Sequence, residues 1–182
     1  MTISKNYQET LKEMHSQKKR WGTRNEIPEK VRFCIEHFKI NSILDFGCAE
    51  GTVIKSIKEE YPNLETYGYD PAFNTFLPEK VDMIMSTDVL EHIEPEELDN
   101  TIEDLRSRST IQYHLIACHK AKKELPDGRN AHLIQKTPDW WQRKFDQWSW
   151  DWEYEHAYAF VKQYKKGRPL AQTYYELIVV KS

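Results

Sequence analysis

Short apolar runs and stretches of helical periodicity alternate along most of this chain. From Pro28, apolar residues recur every three or four positions, which predicts a helix with proline in its first turn. The apolar run SILDF at residues 42–46 then predicts a buried strand, followed by a helix that ends before Pro62. Further strands are predicted at LETYGYD, VDMIMSTDVL and IQYHLIAC, with helices beginning near Pro95 and at Thr137. This alternation favours an α/β sandwich of three layers, with a mainly parallel sheet covered on both faces.

The two ends of the chain depart from this pattern. Residues 153–164 and 172–180 are apolar or aromatic runs joined by KKGRPLA, and they predict a C-terminal antiparallel hairpin. The polar and basic region from about Tyr7 to Arg24 predicts a short helix followed by an arm. The alternative for this region is a solvated N-terminal extension.

Length and charge narrow the function classes. A chain of 182 residues is long enough for one domain with a full core and too short for two comfortable ones. We expect residues 1–25 to form an N-terminal arm or lid and residues 26–182 to form the core. The 26 basic and 29 acidic residues give a net charge of −3, so the composition does not favour non-specific binding to nucleic acid.

Cysteine content and hydropathy bear on location and on metals. The three cysteines are an odd number without metal-like spacing, so no metal site is predicted and a reducing compartment is favoured. The first ten residues lack the apolar core of a signal peptide, and no apolar run approaches the roughly 20 residues of a membrane span. We expect a soluble, cytoplasmic protein.

The turn after the first strand, within ILDFGCAEG, is the place where a ligand is expected in a sheet of this kind. A phosphate-binding loop would end in Gly-Lys-Ser/Thr, whereas this turn ends in Glu50, Gly51 and Thr52. A dinucleotide fingerprint would space its glycines as G-x-G-x-x-G, but Gly47, Ala49 and Gly51 are two residues apart. Both phosphate-based alternatives fit poorly.

Charge around this turn favours a cationic ligand. Asp45 lies two residues before the first glycine and Glu50 lies inside the turn, so a pyrophosphate would be repelled. S-adenosylmethionine carries a sulfonium and an ammonium group, and both would be attracted. Asp70 ends the second strand, where an acidic residue hydrogen-bonds ribose hydroxyls in such folds.

Three motifs in order resemble those of the class I S-adenosylmethionine-dependent methyltransferases, which have a Rossmann-like fold. They are Asp45-x-Gly47-x-Ala49-x-Gly51, Tyr69-Asp70-Pro71 and the segment STDVLEHI at residues 86–93, and the resemblance covers roughly residues 28–181. It implies that the first motif contacts the methionine part of the cofactor, that Asp70 holds the ribose and that DVLEHI borders the methyl group. The implied cofactor-binding residues are Asp45, Gly47, Cys48, Ala49, Gly51, Asp70, Pro71, Thr87, Asp88 and Val89.

One departure from the family pattern lies between Asp70 and Val81. The family places a further strand and helix there, with an acidic residue for the adenine amino group, but this chain has only PAFNTFLPEK. We therefore predict a sheet that lacks one strand and one helix of the usual methyltransferase core. Adenine recognition would fall to other groups, with Phe73 or Phe76 packing on the ring.

Methyl transfer from a sulfonium chiefly needs alignment, which contributes up to about 7–11 kcal/mol, while a general base adds about 10²–10⁴-fold. His92 and His119 each lie just beyond a strand end and are the candidate catalytic bases; a purely structural role is the alternative for both. The polar loop at residues 125–133 is the candidate acceptor site, although it can also merely cap neighbouring backbone. The candidate substrate-binding residues are Trp21, Arg129, Asn130, His132 and Trp140.

These features favour methyl transfer from S-adenosylmethionine, with S-adenosylhomocysteine as product, to a small or medium polar acceptor, and O-methylation of a sugar or other metabolite is preferred. A nucleic-acid base is disfavoured because the DVLEHI strand lacks the Asp/Asn-Pro-Pro-aromatic signature. Two alternatives stay open: a non-catalytic cofactor-binding or scaffold protein, and a dinucleotide-dependent oxidoreductase. The sequence leaves the oligomeric state and the acceptor open.

Overall fold

The computed structural model describes residues 5–16, 26–147, 152–162 and 172–181. Its strands are β1 (Ser42–Phe46), β2 (Glu65–Tyr69), β3 (Met83–Thr87), β4 (Ile111–Ala117), β5 (Trp152–Lys162) and β6 (Gln172–Lys181). Its helices are α1 (Lys5–Ser16), α2 (Glu29–Phe38), α3 (Thr52–Glu60), α4 (Leu98–Arg108) and α5 (Pro138–Asp146), with a 3₁₀ turn at Leu90–His92. Helix α4 begins at Leu98 and not near Pro95 because a turn closed by the Glu97 amide and the Glu94 carbonyl precedes it.

Six strands in the described part of the chain form one sheet in the order β2-β1-β3-β4-β6-β5. The first four strands in sequence are parallel, and β6 pairs antiparallel with both β4 and β5. The mainly parallel sheet and the C-terminal antiparallel hairpin are therefore confirmed. Because the chain passes from β1 to β2 on one side and then to β3 on the other, the sheet has its switch point beside β1.

Two apolar clusters cover the two faces of the sheet. On one face, α2 and α3 pack through Val31, Ile35 and Ile57 against strand residues that include Ile43 and Met83. On the other face, α4 and α5 pack against alternate residues of the same strands. This second cluster includes Leu44, Ile84, Leu98, Ile102, Leu105, Trp141 and Phe145. The alternation of buried side chains along β1 and β3 thus produces the three layers that the sequence predicts.

The segment between β2 and β3 confirms the predicted shortening of the sheet. Residues 71–82 are all described, and they contain neither a helix nor a named strand. A single bridge between Asp70 and Asn74 turns the chain back, and the Asn74 side-chain amide donates to the Gly68 carbonyl. Strand β2 is consequently an edge strand of the sheet.

Helix α1 packs on the loops at the carboxyl ends of the strands. Tyr7 is only 3% exposed, and its hydroxyl donates to the backbone carbonyl of His92 at 2.7 Å. The Gln8 side-chain amide donates to the Pro71 carbonyl at 3.0 Å. Tyr7 also packs with Leu125 and Ala131 in a small apolar cluster. Among the described residues, none of the helices has the length and apolar character needed to cross a bilayer.

Replacing Tyr7 by phenylalanine tests how α1 is held. The change keeps the ring and removes the hydroxyl that donates to the His92 carbonyl. The free energy that holds α1 in place should fall by about 1 kcal/mol. Amide hydrogen exchange in α1 is expected to rise about fivefold, while exchange in β1 and β4 stays unchanged. In the matched control Tyr67→Phe, the lost hydroxyl bonds only the exposed Glu65 side chain, and α1 exchange should not move. Equal exchange of α1 in both variants would contradict this attachment.

Candidate active site

The carboxyl ends of β1, β2, β3 and β4 meet at one edge of the sheet, since these strands are parallel. The three motif segments and the residue His119 follow these strand ends directly. Strand β6 runs the opposite way, so its first residues reach the same edge, where Tyr174 pairs with Ala117. The site residues predicted at the ends of β1, β2, β3 and β4 therefore border a common region.

The turn after β1 packs tightly against the segment after β3. Gly47 has a φ of +80°, and a Cβ at this position would lie 2.4 Å from Cγ2 of Val89. Both the left-handed backbone and the contact require glycine. Gly51 (φ +72°) and Ala49 (φ +48°) are also left-handed, so the turn is a compact loop before α3.

The amides of this turn are engaged by the protein itself. Gly47 N and Cys48 N both donate to the Tyr69 carbonyl, at 2.7 and 3.0 Å. Ala49 N donates to the carboxylate Oδ2 of Asp70 at 3.0 Å. A phosphate-binding loop presents its amides to the ligand. The geometry of this turn therefore disfavours phosphate-based ligands, as the sequence predicted.

Two buried carboxylates flank the turn. Asp45 is 3% exposed and Asp70 is 8% exposed. Burial, together with the negative charge of Asp70, raises the pKa of Asp45 to about 7. Asp70 accepts from Ala49 N and Ala72 N, which leaves lone pairs on both oxygens for ribose hydroxyls. A positively charged nucleoside ligand would compensate these carboxylates, so the site fits S-adenosylmethionine.

The other predicted cofactor residues lie around the same turn. The Cys48 sulfur lies over Gly68, 2.9 Å from where a Cβ would stand, and burial raises the pKa of this thiol to about 12. Thr87 ends β3, and Asp88 follows it with a φ of +56° and an amide that donates to Leu115. Pro71 accepts the bond from α1, and Val89 packs on Gly47, as described above.

Three histidines from separate segments come together at this edge. The rings of His92 and His132 meet edge to face with centroids 4.8 Å apart, and those of His119 and His132 are 5.4 Å apart. Each ring places Nδ1 against a backbone carbonyl: His92 against Ala131 at 2.7 Å, His132 against His119 at 2.5 Å, and His119 against Thr173 at 3.1 Å. A carbonyl only accepts hydrogen bonds, so Nδ1 carries the proton and Nε2 carries the lone pair.

The surroundings keep two of these rings neutral near pH 7. Removal from water, and next the charge of His132, lowers the pKa of His92 to about 4. Burial likewise lowers the pKa of His132, an effect opposed by its bond to the His119 carbonyl and by the nearby charge of Asp88. Neutral imidazoles with a lone pair on Nε2 can accept a proton or bind a cation.

Glu91 is a site residue that the sequence reading missed. It is 0% exposed, and its Oε1 accepts a bond from Ala117 N at 3.0 Å. One potential ligand atom each of Glu91, His92 and His132 lies within 4.8 Å of the other two. The signal was present in the motif, because Glu91 directly precedes His92, but its burial depends on the distant strand β4.

The loop at residues 125–133 separates into two kinds of residue. The Asn130 side chain accepts a bond from the Ala121 amide at 3.0 Å and donates to the Ala121 carbonyl at 2.9 Å. This residue therefore shapes the loop. Arg129 is paired with Asp127 on the exposed side, at 2.7 Å. His132, by contrast, joins the histidine cluster. Both functions that the sequence left open for this loop are thus represented in it.

The predicted aromatic residues are spread more widely. Trp140, on α5, packs edge to face on Trp141, and the ammonium groups of Lys136 and Lys144 lie 5.8 and 6.0 Å from its ring centre. Trp21 lies outside the described residues. Phe73 and Phe76 are 47% and 60% exposed, so both rings present a face to a ligand or to solvent.

Comparisons with known proteins agree with this geometry. A family profile described as a methyltransferase domain matches residues 20–165. A search of curated protein sequences gives no significant match. The profile confirms the resemblance to class I S-adenosylmethionine-dependent methyltransferases, with S-adenosylmethionine as cofactor, and it argues against the dinucleotide-dependent alternative.

Solved structures of similar fold are only distantly related in sequence. The N-terminal domain of EvdMO1 with S-adenosylhomocysteine bound is 10% identical, with a TM-score of 0.56 over 100% of this chain and 98% of that chain. The plantazolicin methyltransferase BpumL, with a pentazolic desmethylplantazolicin analogue and S-adenosylhomocysteine, is 11% identical, with a TM-score of 0.57 over 98% and 92%. A putative O-methyltransferase from Nostoc punctiforme is 9% identical, with a TM-score of 0.54 over 82% of this chain and 54% of that chain.

Replacing Gly47 by alanine tests the contact between the turn and the DVLEHI segment. The new Cβ would overlap Val89, so cofactor affinity is expected to fall at least tenfold by calorimetry, with a loss of stability. Gly128→Ala is the matched control, because Gly128 has a similar φ of +85° and open space around it. The double change Gly47→Ala with Val89→Ala should restore part of the binding. Equal losses in the two glycine variants would attribute the effect to backbone strain alone.

The raised pKa of Asp45 predicts pH-dependent cofactor binding. Below pH 7 this carboxyl is increasingly protonated and loses its attraction for the cationic ligand. The dissociation constant for S-adenosylmethionine is expected to rise about tenfold between pH 8 and pH 6, as measured by calorimetry. In Asp45→Asn only the ligand's own titration remains, so the slope should be much smaller. The same slope in both proteins would show that Asp45 does not sense the cofactor.

Proposed function

Because the chain belongs to the methyltransferase domain family, we propose that it transfers the methyl group of S-adenosylmethionine to an oxygen of a small or medium polar acceptor. A sugar or another small hydroxylated metabolite fits this description. The observation that carries the choice of oxygen is the cluster of His92, His119 and His132, whose Nδ1 atoms face backbone carbonyls. Their Nε2 atoms are then the proton acceptors at the site.

A hydroxyl acceptor is the kind that needs such groups. An un-ionised hydroxyl is a weak nucleophile, and its proton must leave as the new bond between oxygen and carbon forms. A neutral amine is already nucleophilic and has less need of a base. Either His92 or His119 takes this proton.

The position of the cluster supports its catalytic role. Val89 packs against Gly47, so the segment that carries His92 lies against the first motif, where the methionine part of the cofactor is expected. Only the 3₁₀ turn at Leu90–His92 separates that contact from the ring. Alignment of the acceptor oxygen with the methyl group is the larger part of catalysis in this reaction.

The N-terminal segment is proposed to cover the site. Within residues 1–25, helix α1 reaches both site-bearing segments, through Tyr7 to the His92 carbonyl and through Gln8 to the Pro71 carbonyl. A helix held by these two bonds and a small apolar cluster can exclude water once both ligands are present. Arg129, in the loop at residues 125–133, is proposed to contact the acceptor, and Trp21, which lies outside the described residues, is proposed as a second contact.

A neighbour's name is consistent with the proposed chemistry. The Nostoc punctiforme structure is titled a putative O-methyltransferase, and it is similar to this chain in fold. We take the acceptor class from the histidine cluster and not from that likeness.

The proposal is tested by an acceptor screen with S-adenosylmethionine. The panel pairs each hydroxylated sugar or phenol with the matching amine and thiol, and the readout is S-adenosylhomocysteine together with the mass of the product. Hydroxyl acceptors are expected to turn over. In His92→Gln and in His119→Gln, kcat should fall while cofactor affinity stays unchanged. The variant that removes the base should lose about 10²–10⁴-fold in kcat. His37→Gln, an exposed histidine at the end of α2, is the control and should keep full activity.

Two results would overturn the proposal. Methylation of amines or thiols alone would mean that the histidines do not serve hydroxyl deprotonation. Tight cofactor binding without turnover of any acceptor would favour the scaffold alternative.

A further inference from the structure

Glu91, His92 and His132 form a set of three potential cation ligands at the carboxyl edge of the sheet. One ligand atom from each lies within 4.8 Å of the other two. The residues come from two segments, since Glu91 and His92 are in the 3₁₀ turn after β3 and His132 is in the loop before α5. Their convergence is a product of the fold and not of local sequence.

The two imidazoles are already oriented as metal ligands usually are. In His92 the Nδ1–H donates to the Ala131 carbonyl at 2.7 Å, and in His132 it donates to the His119 carbonyl at 2.5 Å. Metal-binding histidines typically donate one ring N–H to a carbonyl or carboxylate, which fixes the tautomer and presents the other nitrogen to the ion. Here that nitrogen is Nε2 in both rings.

The carboxylate of Glu91 is also held in place. It is fully buried, and Oε1 accepts a bond from Ala117 N at 3.0 Å, so its orientation is set by strand β4. Buried carboxylates are commonly paired or bound to metal ions. A cation here would add positive charge beside a carboxylate that water does not reach.

The donor set indicates the class of ion. Two imidazoles and one carboxylate are the protein ligands of open catalytic zinc sites and of other divalent transition-metal sites. A tetrahedral ion with bonds of about 2.0–2.1 Å would space its ligands about 3.4 Å apart. The three ligand atoms lie within 4.8 Å of one another, so each pair would need to approach by no more than about 1.4 Å. Three protein ligands leave a further position for an acceptor oxygen.

We propose that Glu91, His92 and His132 bind one divalent transition-metal cation, with Zn²⁺ the best match, whose open position takes the hydroxyl oxygen of the methyl acceptor. The role of the bound oxygen rests on the proposed function; binding of the cation does not. This inference changes the part played by His92, which becomes a ligand and not a base.

The reaction balances with the groups at hand. A cation held by these residues would lower the pKa of a bound acceptor hydroxyl, and His119, whose ring lies 5.4 Å from that of His132, would take the proton that leaves. The oxygen then bonds the methyl carbon while the carbon–sulfur bond breaks and its electron pair stays on sulfur. The products are the methyl ether, S-adenosylhomocysteine and protonated His119.

The test uses the full chain without an affinity tag, stripped of metal by a chelator and titrated with Co²⁺ and with Zn²⁺. We expect one equivalent of Co²⁺ to give the visible absorption of a four- or five-coordinate site, and Zn²⁺ to displace it. In His132→Gln and Glu91→Gln the affinity should fall at least tenfold. Glutamine at position 91 keeps an oxygen for the Ala117 amide, and circular dichroism with cofactor titration verifies the fold.

Two matched controls separate this site from general histidine binding. His37→Gln removes an exposed histidine in the last turn of α2, a helix that carries none of the three ligands, and it should leave Co²⁺ affinity unchanged. His119→Gln removes the neighbouring ring that is outside the set of three, and it should change affinity less than threefold while lowering turnover. Loss of affinity in His37→Gln equal to that in His132→Gln would overturn the site.

The outcomes also separate the cation site from the proposed acceptor class. Absence of Co²⁺ and Zn²⁺ binding by folded, cofactor-competent protein overturns the cation site, and metal-free protein that still methylates a hydroxyl at full rate overturns its role in catalysis. In both cases the proposed function stands. Cation binding with the expected variant pattern, without turnover of any hydroxyl acceptor, supports the site and overturns the function.

Discussion

The close contact between Gly47 and Val89 is the constraint on which the site depends. At the switch point of the sheet, β1 and β3 are neighbouring strands, so the turn after β1 and the segment after β3 lie side by side. These two segments can touch only because position 47 has no side chain. The same contact fixes both halves of the site. Gly47 begins the turn that Asp70 braces through the Ala49 amide, while Val89 begins the 3₁₀ turn that carries Glu91 and His92.

The shortened sheet explains features that would otherwise look unrelated. Because β2 is an edge strand, the region beyond Asp70 is closed by a bridge to Asn74 instead of by a helix. The same region is covered in part by α1, whose Gln8 binds the Pro71 carbonyl. Phe73 and Phe76 remain exposed beside it, in the place where an additional strand and helix would supply an adenine contact. The surface beyond Asp70 is thus formed by a short loop, with Gln8 of α1 bonded to it.

The sequence predicts the sheet well because each strand is a compact apolar run. SILDF coincides with β1, and the predicted hairpin contains β5 and β6. The site is harder to predict, since its members meet only through the fold. Glu91 is buried by a bond to Ala117, 26 residues away, and His132 reaches His92 because Asn130 shapes the intervening loop. Local pattern carries no information on such contacts, so the sequence did not single out Glu91, and it did not show that Asn130 bonds the backbone at Ala121.

Charge divides the site into two parts that suit the two substrates of a methyl transfer. Around the first turn, burial and next the negative charge of Asp70 raise the pKa of Asp45, an arrangement that favours a cationic ligand. Beyond Val89, neutral imidazoles and the single carboxylate Glu91 offer lone pairs to a proton or a metal ion. The sulfonium loses its charge in the reaction, so the attraction that holds the donor weakens once it becomes S-adenosylhomocysteine. Carboxylates at this place therefore favour the charged donor over the uncharged thioether of the product.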